Sequence, residues 1–294
     1  MDFRAILMGL AFALMWSSAF ATARIIVADA PPLFTLAIRF LLSGGVAIAV
    51  ALALGQGWRL TPAQRRATIV FGLCQNALYL GLNFIAMQWI EASLAAIIAS
   101  SMPLLVGAMG WLFFGQRLRW LGVAGLVAGF AGVALIMGTR LSGGADPLAV
   151  ALCVAGAIAL ATATLMVRGA TSGGNLLMIV GLQMLVGSAS LAVASALLET
   201  WQVALSARWV AAFLYQVFVP GLAATLIWFA LVGRIGAVRA SAFHFLNPFF
   251  GVAIAAALLG ETVRGTDLLG VAVVMAGILA VQLSRDAPPA AASK

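Results

Sequence analysis

His244 is the single histidine of the chain; Ser241 lies three residues before it, Asn247 three after, and Pro248 one further. A proline has no N–H, so the carbonyl of residue 244 loses its helical partner, and such broken helices are tolerated in a bilayer where they line a cavity. Histidine also has an ordinary pKa of about 6.5, which makes His244 the one side chain in the apolar part of the chain suited to carrying a proton near neutrality. The residues leave three roles open: proton carrier, cavity wall, or neutral hydrogen-bonded core residue.

A second group is Gly72, Gln75, Asn76, Tyr79 and Asn83, which recur at helical spacing as one polar stripe. An amide facing lipid without a partner is costly, so the stripe should face other helices, either as a cavity lining or as a hydrogen-bonded seam. Trp16, followed by Ser17, lies in the middle of an apolar run, and Trp228 lies late in another. Their rings offer stacking surfaces for an aromatic ligand, or ordinary packing. Met102, beside Ser100 and Ser101, offers adjustable packing or plain core filling. Arg39 is the one basic residue predicted inside an apolar run. Its guanidinium could fork around a carboxylate, but two turns from the predicted outer end it is expected to snorkel to the interface.

What is missing narrows the chemistry further. Asp2, Asp29, Glu91, Asp146, Glu199, Glu261, Asp267 and Asp286 all fall in predicted connections or at the ends of apolar runs. A carboxylate relay through a bilayer, the usual device of proton and sodium pumps, therefore has nothing to run on. One histidine without an intramembrane acid supplies neither a nucleophile–base constellation nor a metal site, so no enzyme, metal or cofactor is expected. Cys74 and Cys153 lie in apolar runs and read as small hydrophobes.

These residues have to be positioned by membrane spans. The 294 residues are 64% hydrophobic and 8% charged, with a mean hydropathy of +1.15, far outside the range of a soluble domain. Apolar runs bounded by Pro31-Pro32, Thr61-Pro62, Ser142-Gly143-Gly144 and Ser172-Gly173-Gly174 place ten spans at about 4–28, 33–54, 66–89, 93–114, 119–138, 147–168, 175–198, 208–231, 237–259 and 267–284. Nothing alternates like a barrel strand, so the fold class is an all-α membrane protein. The first run is too long for the core of a signal peptide and reads as an uncleaved span.

The net charge of +8 sits in short connections rather than in a nucleic-acid patch, so no nucleic-acid partner is expected. Arg4, Arg59, Arg65, Arg66, Arg117, Arg119, Arg168, Arg234, Arg239, Arg285 and Lys294 fall on one side, against Arg24, Arg140, Arg208 and Arg264 on the other. The positive-inside rule then puts both termini in the cytoplasm.

Sliding the sequence by 145 positions aligns Phe84 with Phe229, Ala95 with Ala240, Pro103 with Pro248, Gly115 with Gly260, Arg119 with Arg264, Gly125 with Gly270 and Gly132 with Gly277. Two five-helix repeats follow, at 1–140 and 141–286, with 287–294 as a disordered cytoplasmic tail. Because five is odd, the second repeat enters the membrane inverted, and Pro103 and Pro248 are matching hinge candidates. Gly125, Gly129 and Gly132 read as close helix packing or as a dimer face.

The block Ala92-Ser93-Leu94-Ala95 through Pro103, then Phe114-Gly115-Gln116-Arg117 and Gly125 to Gly132, resembles the repeat of the EamA-type members of the drug/metabolite transporter superfamily. Its second copy is Ala237 to Ala240, Pro248 and Leu259-Gly260-Glu261. The resemblance covers essentially the whole chain; the first copy departs from it by carrying Gln116 where the second has Glu261. It implies a multi-pass protein of a bacterial-type inner membrane that exports small metabolites by alternating access, and the chain is most similar to the aromatic amino acid exporters among such proteins. It also implies a central cavity built from spans one, three, four, six, eight and nine. The expected substrate is a zwitterion whose ring packs on Trp16, Tyr79 and Met102, with Trp228 and Ser17 nearby. Its charged end would meet Asn83, Ser100, His244 and Asn247 in an uncharged site. Export of another metabolite or drug-like compound, coupled to protons through His244, is the alternative. The resemblance fixes no oligomeric state.

Overall fold

Backbone groups buried in hydrocarbon must bond within the chain, and the computed structural model, which describes residues 3–116, 118–166, 175–235, 240 and 242–285, meets that demand with helices. Nine of these are long and apolar enough to span a bilayer among the described residues, and a tenth is shorter. They are α1 (Phe3–Asp29), α2 (Pro32–Ala53), α3 (Pro62–Ala86), α4 (Ala92–Ser100 and Met102–Phe114, with Ser101 at the join), α5 (Trp120–Ser142), α6 (Pro147–Met166), α7 (Leu176–Leu198), α8 (Ala207–Ile235), α9 (a 3-10 turn at Ala242–Leu246 leading into Asn247–Leu259) and α10 (Gly265–Arg285). Ser241, Arg117, Arg168, Arg239, Asp286, the Ser172-Gly173-Gly174 breaker and the 287–294 tail lie outside the described residues.

The helix ends follow from local chemistry. Thr61 opens α3 with a capping box: its hydroxyl accepts from the Gln64 N–H and the Gln64 side chain accepts from the Thr61 N–H. The first turn of α2 is capped from across the bundle, Leu33 and Phe34 donating to the two carboxylate oxygens of Glu199 at 2.8 and 2.9 Å. Glu261 does the same for α4, accepting from Ala92 and Ser93 at 2.7 and 3.0 Å. A carboxylate at a helix N-terminus satisfies orphan donors and meets the positive end of the dipole. Gln116, at the matching position 145 residues earlier, instead lays its side chain against Gly110.

Several features recur 145 residues apart. α3 widens into a π-helical segment at Gly72–Tyr79, and α8 does so at Val217–Ala223. Pro103 and Pro248 each sit in the first turn of a helical segment, and Gly115 and Gly260 close those segments at φ of 61° and 68°, where a side chain would be strained. α5 and α10 pack antiparallel: a Cβ at Gly277 would lie 2.6 Å from the Gly129 Cα, and one at Gly132 would lie 3.0 Å from the Gly270 carbonyl. The glycines expected either at a helix seam or at a dimer face therefore pack inside the chain. α2 and α7 meet in the same manner at Gly44 and Gly181.

The structure corrects the sequence reading at Arg140. α5 runs on to Ser142, so Arg140 lies in its last turn and is buried rather than in an open connection. Its guanidinium pairs with Asp267, in the first turn of α10 and wholly buried, at 2.7 Å, and with Glu91 before α4. This acid sits at the end of the bundle with its charge matched, so it offers no path through the middle. Trp58, Trp89, Trp111, Trp120 and Trp201, in or near the helix ends, are exposed, as in the aromatic belts of membrane proteins, whereas Trp209 is buried and stacks on Phe213 at 5.0 Å. Cys74 and Cys153 are free thiols.

Candidate functional site

The site begins with a backbone defect. Pro220 lies inside the π segment of α8, and its missing N–H denies the Gln216 carbonyl the i+4 donor of an α-helix, so that the turn widens. Two side chains one turn apart on α2 serve the loosened turn: Arg39 Nε donates to the Gln216 carbonyl at 3.3 Å, and Ser43 Oγ donates to the Val217 carbonyl at 3.3 Å. From the other side, Gln216 Nε2 donates to the Ala19 carbonyl at 2.6 Å and to Thr22 Oγ1 at 2.9 Å, while Ser18 and Tyr215 share a hydrogen bond of 2.8 Å. A polar seam thus ties α1, α2 and α8 together where α8 is least regular.

Next to that seam lies a cavity of about 40 Å³. It is lined by Trp16, Ala19, Phe20 and Ala23 of α1, Arg39 of α2, Tyr79, Leu80, Asn83, Phe84 and Met87 of α3, and Gln216 and Pro220 of α8. Its walls are rings and methyl groups, but three polar side chains reach it. Asn83 Nδ2 donates to the Tyr79 carbonyl at 2.8 Å, which fixes the amide orientation and leaves Oδ1 buried without a partner. Gln216 is held through Nε2, and its Oε1 is likewise buried and unpartnered. Arg39 uses only Nε; its terminal nitrogens bond no described residue, and no described acid pairs with it. Its guanidinium also lies 5.1 Å from the Phe40 ring centroid. α3 can approach this closely because α6 presents Gly156, where a Cβ would come within 3.1 Å of Asn83 Nδ2 and of the Tyr79 carbonyl.

Among the expected site residues, the structure brings Trp16, Tyr79 and Asn83 to the cavity wall. The rest lie elsewhere. Ser17 is buried against α9, donating to the Asn247 carbonyl at 3.3 Å. Ser100 returns its hydroxyl to the Ala96 carbonyl, and Met102 packs half-buried against the core. Trp228 and His244 form a second cluster around Phe12, whose ring centroid is 4.7 Å from Trp228, 5.2 Å from His244 and 5.7 Å from Trp16. His244 Nδ1 lies 3.0 Å from Asn247 Nδ2, and Asn247 Oδ1 has no partner. The polar stripe of α3 divides as well: Asn76 donates to the Gln183 carbonyl at 2.9 Å and Gly72 packs on Val186, a seam with α7, while Tyr79 and Asn83 turn to the cavity.

One expectation is overturned here. Arg39 does not snorkel outward; it is buried beside the cavity, so the site is not uncharged. The small cavity in this structure is lined from α1, α2, α3 and α8. A signal for Arg39 was present: Thr35, Arg39 and Ser43 recur every fourth residue, and all three are buried, so the arginine shares a face with two hydroxyls that seek partners. For Gln216 the signal was its place four residues before Pro220. Phe12 has none beyond its position one turn before Trp16.

At the end of the bundle where α1 finishes, two open recesses include four of the six described acids. One, of about 810 Å³, includes Asp29, Gln88 and Glu199 in its walls, and the other, of about 330 Å³, includes Arg24, Glu91, Arg208 and Glu261. Towards the end where α1 begins, the Phe12 cluster fills the space beyond Trp16.

The profile of the EamA-like transporter family matches this chain twice, over residues 3–138 and 147–283. The chain belongs to the EamA-like transporter family. It is a multi-pass membrane protein of transporter lineage, and its relatives are named as transporters and efflux pumps. Transporter YvbV of Bacillus subtilis, named as uncharacterized, is 28% identical over 95% of this chain and 92% of its own length. A "Probable amino-acid metabolite efflux pump" of Salmonella typhimurium is 26% identical over 90% of each chain. The aromatic amino acid exporter YddG of Ancylobacter novellus is 32% identical over 47% of this chain and 48% of its own. A crystal structure at 22% identity superposes with a TM-score of 0.68 over 97% of this chain and 99% of that one, which shows a shared fold.

Proposed function

We propose that this family member is an inner-membrane exporter or facilitator of amino acids with bulky apolar side chains, aromatic ones foremost. The observation that carries this reading is the pairing of ring-lined walls, from Trp16, Phe20, Tyr79 and Phe84, with buried unpartnered amide oxygens at Asn83 and Gln216. A ring packs on the former, and a polar head satisfies the latter. The names of the Salmonella and Ancylobacter relatives point the same way.

Transport proceeds by alternating access, with 1–140 and 141–286 as inverted halves, Pro103 and Pro248 as hinges, and both termini in the cytoplasm. At about 40 Å³ the cavity has room for little more than water, whereas small-molecule sites occupy roughly 300–1,000 Å³. Substrate therefore enters only when the halves part. Trp16, Tyr79 and Asn83 contact it at the centre, and Ser17, Ser100, Met102, Trp228, His244 and Asn247 line the path that opens. Proton-coupled export of another metabolite through His244 is the weaker reading, because the Phe12 ring stands between that imidazole and the cavity-lining Trp16.

The test is counterflow of radiolabelled phenylalanine into proteoliposomes preloaded with unlabelled amino acids at equal pH. Uptake that depends on internal aromatic amino acid and falls in Tyr79→Ala supports the reading. Absence of exchange with any amino acid sinks the substrate class.

A further inference from the structure

We infer that Arg39, Asn83 and Gln216 together form a head-group site for an α-amino carboxylate, in which Arg39 takes the carboxylate and the two amide oxygens accept from the ammonium. The inference deepens the amino acid reading above and rests on it.

Arg39 carries a permanent charge in the interior of a bundle that spans the membrane. Burying an unpaired charge is strongly unfavourable, so buried cations are normally paired. Arg39 has no acidic partner among the described residues, and its bond to the Gln216 carbonyl occupies Nε alone. Capping the π turn of α8 therefore leaves both terminal nitrogens available, and they form the fork that matches a carboxylate. Their natural counter-charge is a substrate that brings its own.

The amides supply the other half. Asn83 and Gln216 are 1% and 0% exposed, and each is locked by bonds that only its NH₂ group can make, to the carbonyls of Tyr79 and Ala19. Oδ1 and Oε1 are left as pure acceptors with nothing donated to them. A buried polar atom without a partner is destabilising, and an ammonium is donor-only with three hydrogens to give. One fixed cation and two orphan acceptors, carried by side chains packed around the same small cavity, are complementary to a zwitterion and to neither of its halves. A free amine would bring a second positive charge to Arg39, and a free acid would leave both oxygens unsatisfied. The same arrangement excludes cationic drug-like compounds.

The experiment uses the purified full-length chain in proteoliposomes. Phenylalanine counterflow is competed with phenylalanine, phenylalaninamide (no carboxylate), 3-phenylpropionate (no ammonium) and phenethylamine. The wild-type protein is expected to prefer phenylalanine over each of the others on the order of tenfold or more. Arg39→Gln is expected to erase the preference over phenylalaninamide while keeping that over 3-phenylpropionate, and Arg39→Lys to restore part of the loss, a split that a purely structural arginine would not produce. An Arg39→Gln protein with wild-type discrimination overturns the inference while leaving the amino acid reading intact. If Arg39→Gln does not yield monodisperse protein, the wild-type ranking decides: phenylalaninamide competing as well as phenylalanine overturns the inference. A wild-type protein that exchanges no amino acid at all removes the functional reading, and the inference with it.

Discussion

Arg39 Nε reaches the Gln216 carbonyl at 3.3 Å, the carbonyl to which Pro220 has no N–H to offer as an α-helical i+4 donor. One side chain on α2 thus compensates for a proline on α8, and the same side chain brings the one unpaired charge on the cavity wall. Removing it should therefore have two separable consequences, one for stability and one for selectivity.

The stability consequence is testable by a double-mutant cycle. Arg39→Met removes the side-chain donor to the Gln216 carbonyl and should destabilise by about 1–3 kcal/mol. Pro220→Ala supplies the missing backbone N–H and should recover most of that loss in the double variant, giving a clear coupling energy. Thermal unfolding midpoints in detergent read both, and additive effects would argue against the link.

The α5–α10 seam makes a second prediction. A methyl at Gly277 would lie 2.6 Å from the Gly129 Cα, which is backbone and cannot rotate away, whereas nothing lies within 4 Å of a methyl at Gly138. Gly277→Ala should cost about 1–3 kcal/mol by overpacking. Gly138→Ala, also on α5, should be neutral or stabilising by up to about 1 kcal/mol through helix propensity. Equal melting temperatures for the two variants would contradict the packing.

Arg140 and Asp267 provide a third. Asp267→Asn leaves Arg140 with the half-exposed Glu91 as its charged partner, and Arg140→Met leaves the wholly buried Asp267 carboxylate with the Arg264 N–H but no counter-charge. The arginine variant should be the worse, by about 3–5 kcal/mol, and Arg140→Met combined with Asp267→Leu should be milder than Arg140→Met alone. The order of unfolding midpoints across the three variants checks it.

Phe12 contacts the rings of Trp16, Trp228 and His244. If this ring closes the route on the far side of Trp16, Phe12→Ala should raise the initial rate of phenylalanine counterflow several-fold without altering the order of competing substrates. A slower rate in folded protein would show that the ring is not a barrier.

The surroundings of His244 predict a flat pH response. Its described neighbours are Phe12, Trp228 and the Asn247 amide, and no described carboxylate pairs with it. A proton there would have no counter-charge, so exchange should run at the same rate at pH 6 and pH 8, equally in wild type and His244→Gln. A pH dependence abolished by that substitution would revive coupling through the imidazole.

Much of the fold was legible without coordinates. Ten apolar runs of bilayer length, punctuated by Pro31-Pro32, Thr61-Pro62 and Ser142-Gly143-Gly144, leave helices as the one economical solution, because backbone groups in hydrocarbon must bond within their own segment. The 145-residue spacing of Pro103 with Pro248 and Gly115 with Gly260 was equally visible, and so were Trp16, Tyr79 and Asn83 as polar or aromatic residues in mid-span. Only the tertiary structure decided which faces meet. It turned Arg39 inward, set Phe12 beside His244, joined Arg140 to Asp267 across 127 positions and closed the glycine seam within one chain. The reason is physical: a spanning helix is apolar towards lipid and towards its neighbours alike, so hydrophobic periodicity, which reveals the buried face of a soluble helix, is nearly silent here. The direction of Arg39 then goes with a carbonyl in the turn that a proline on another helix has widened.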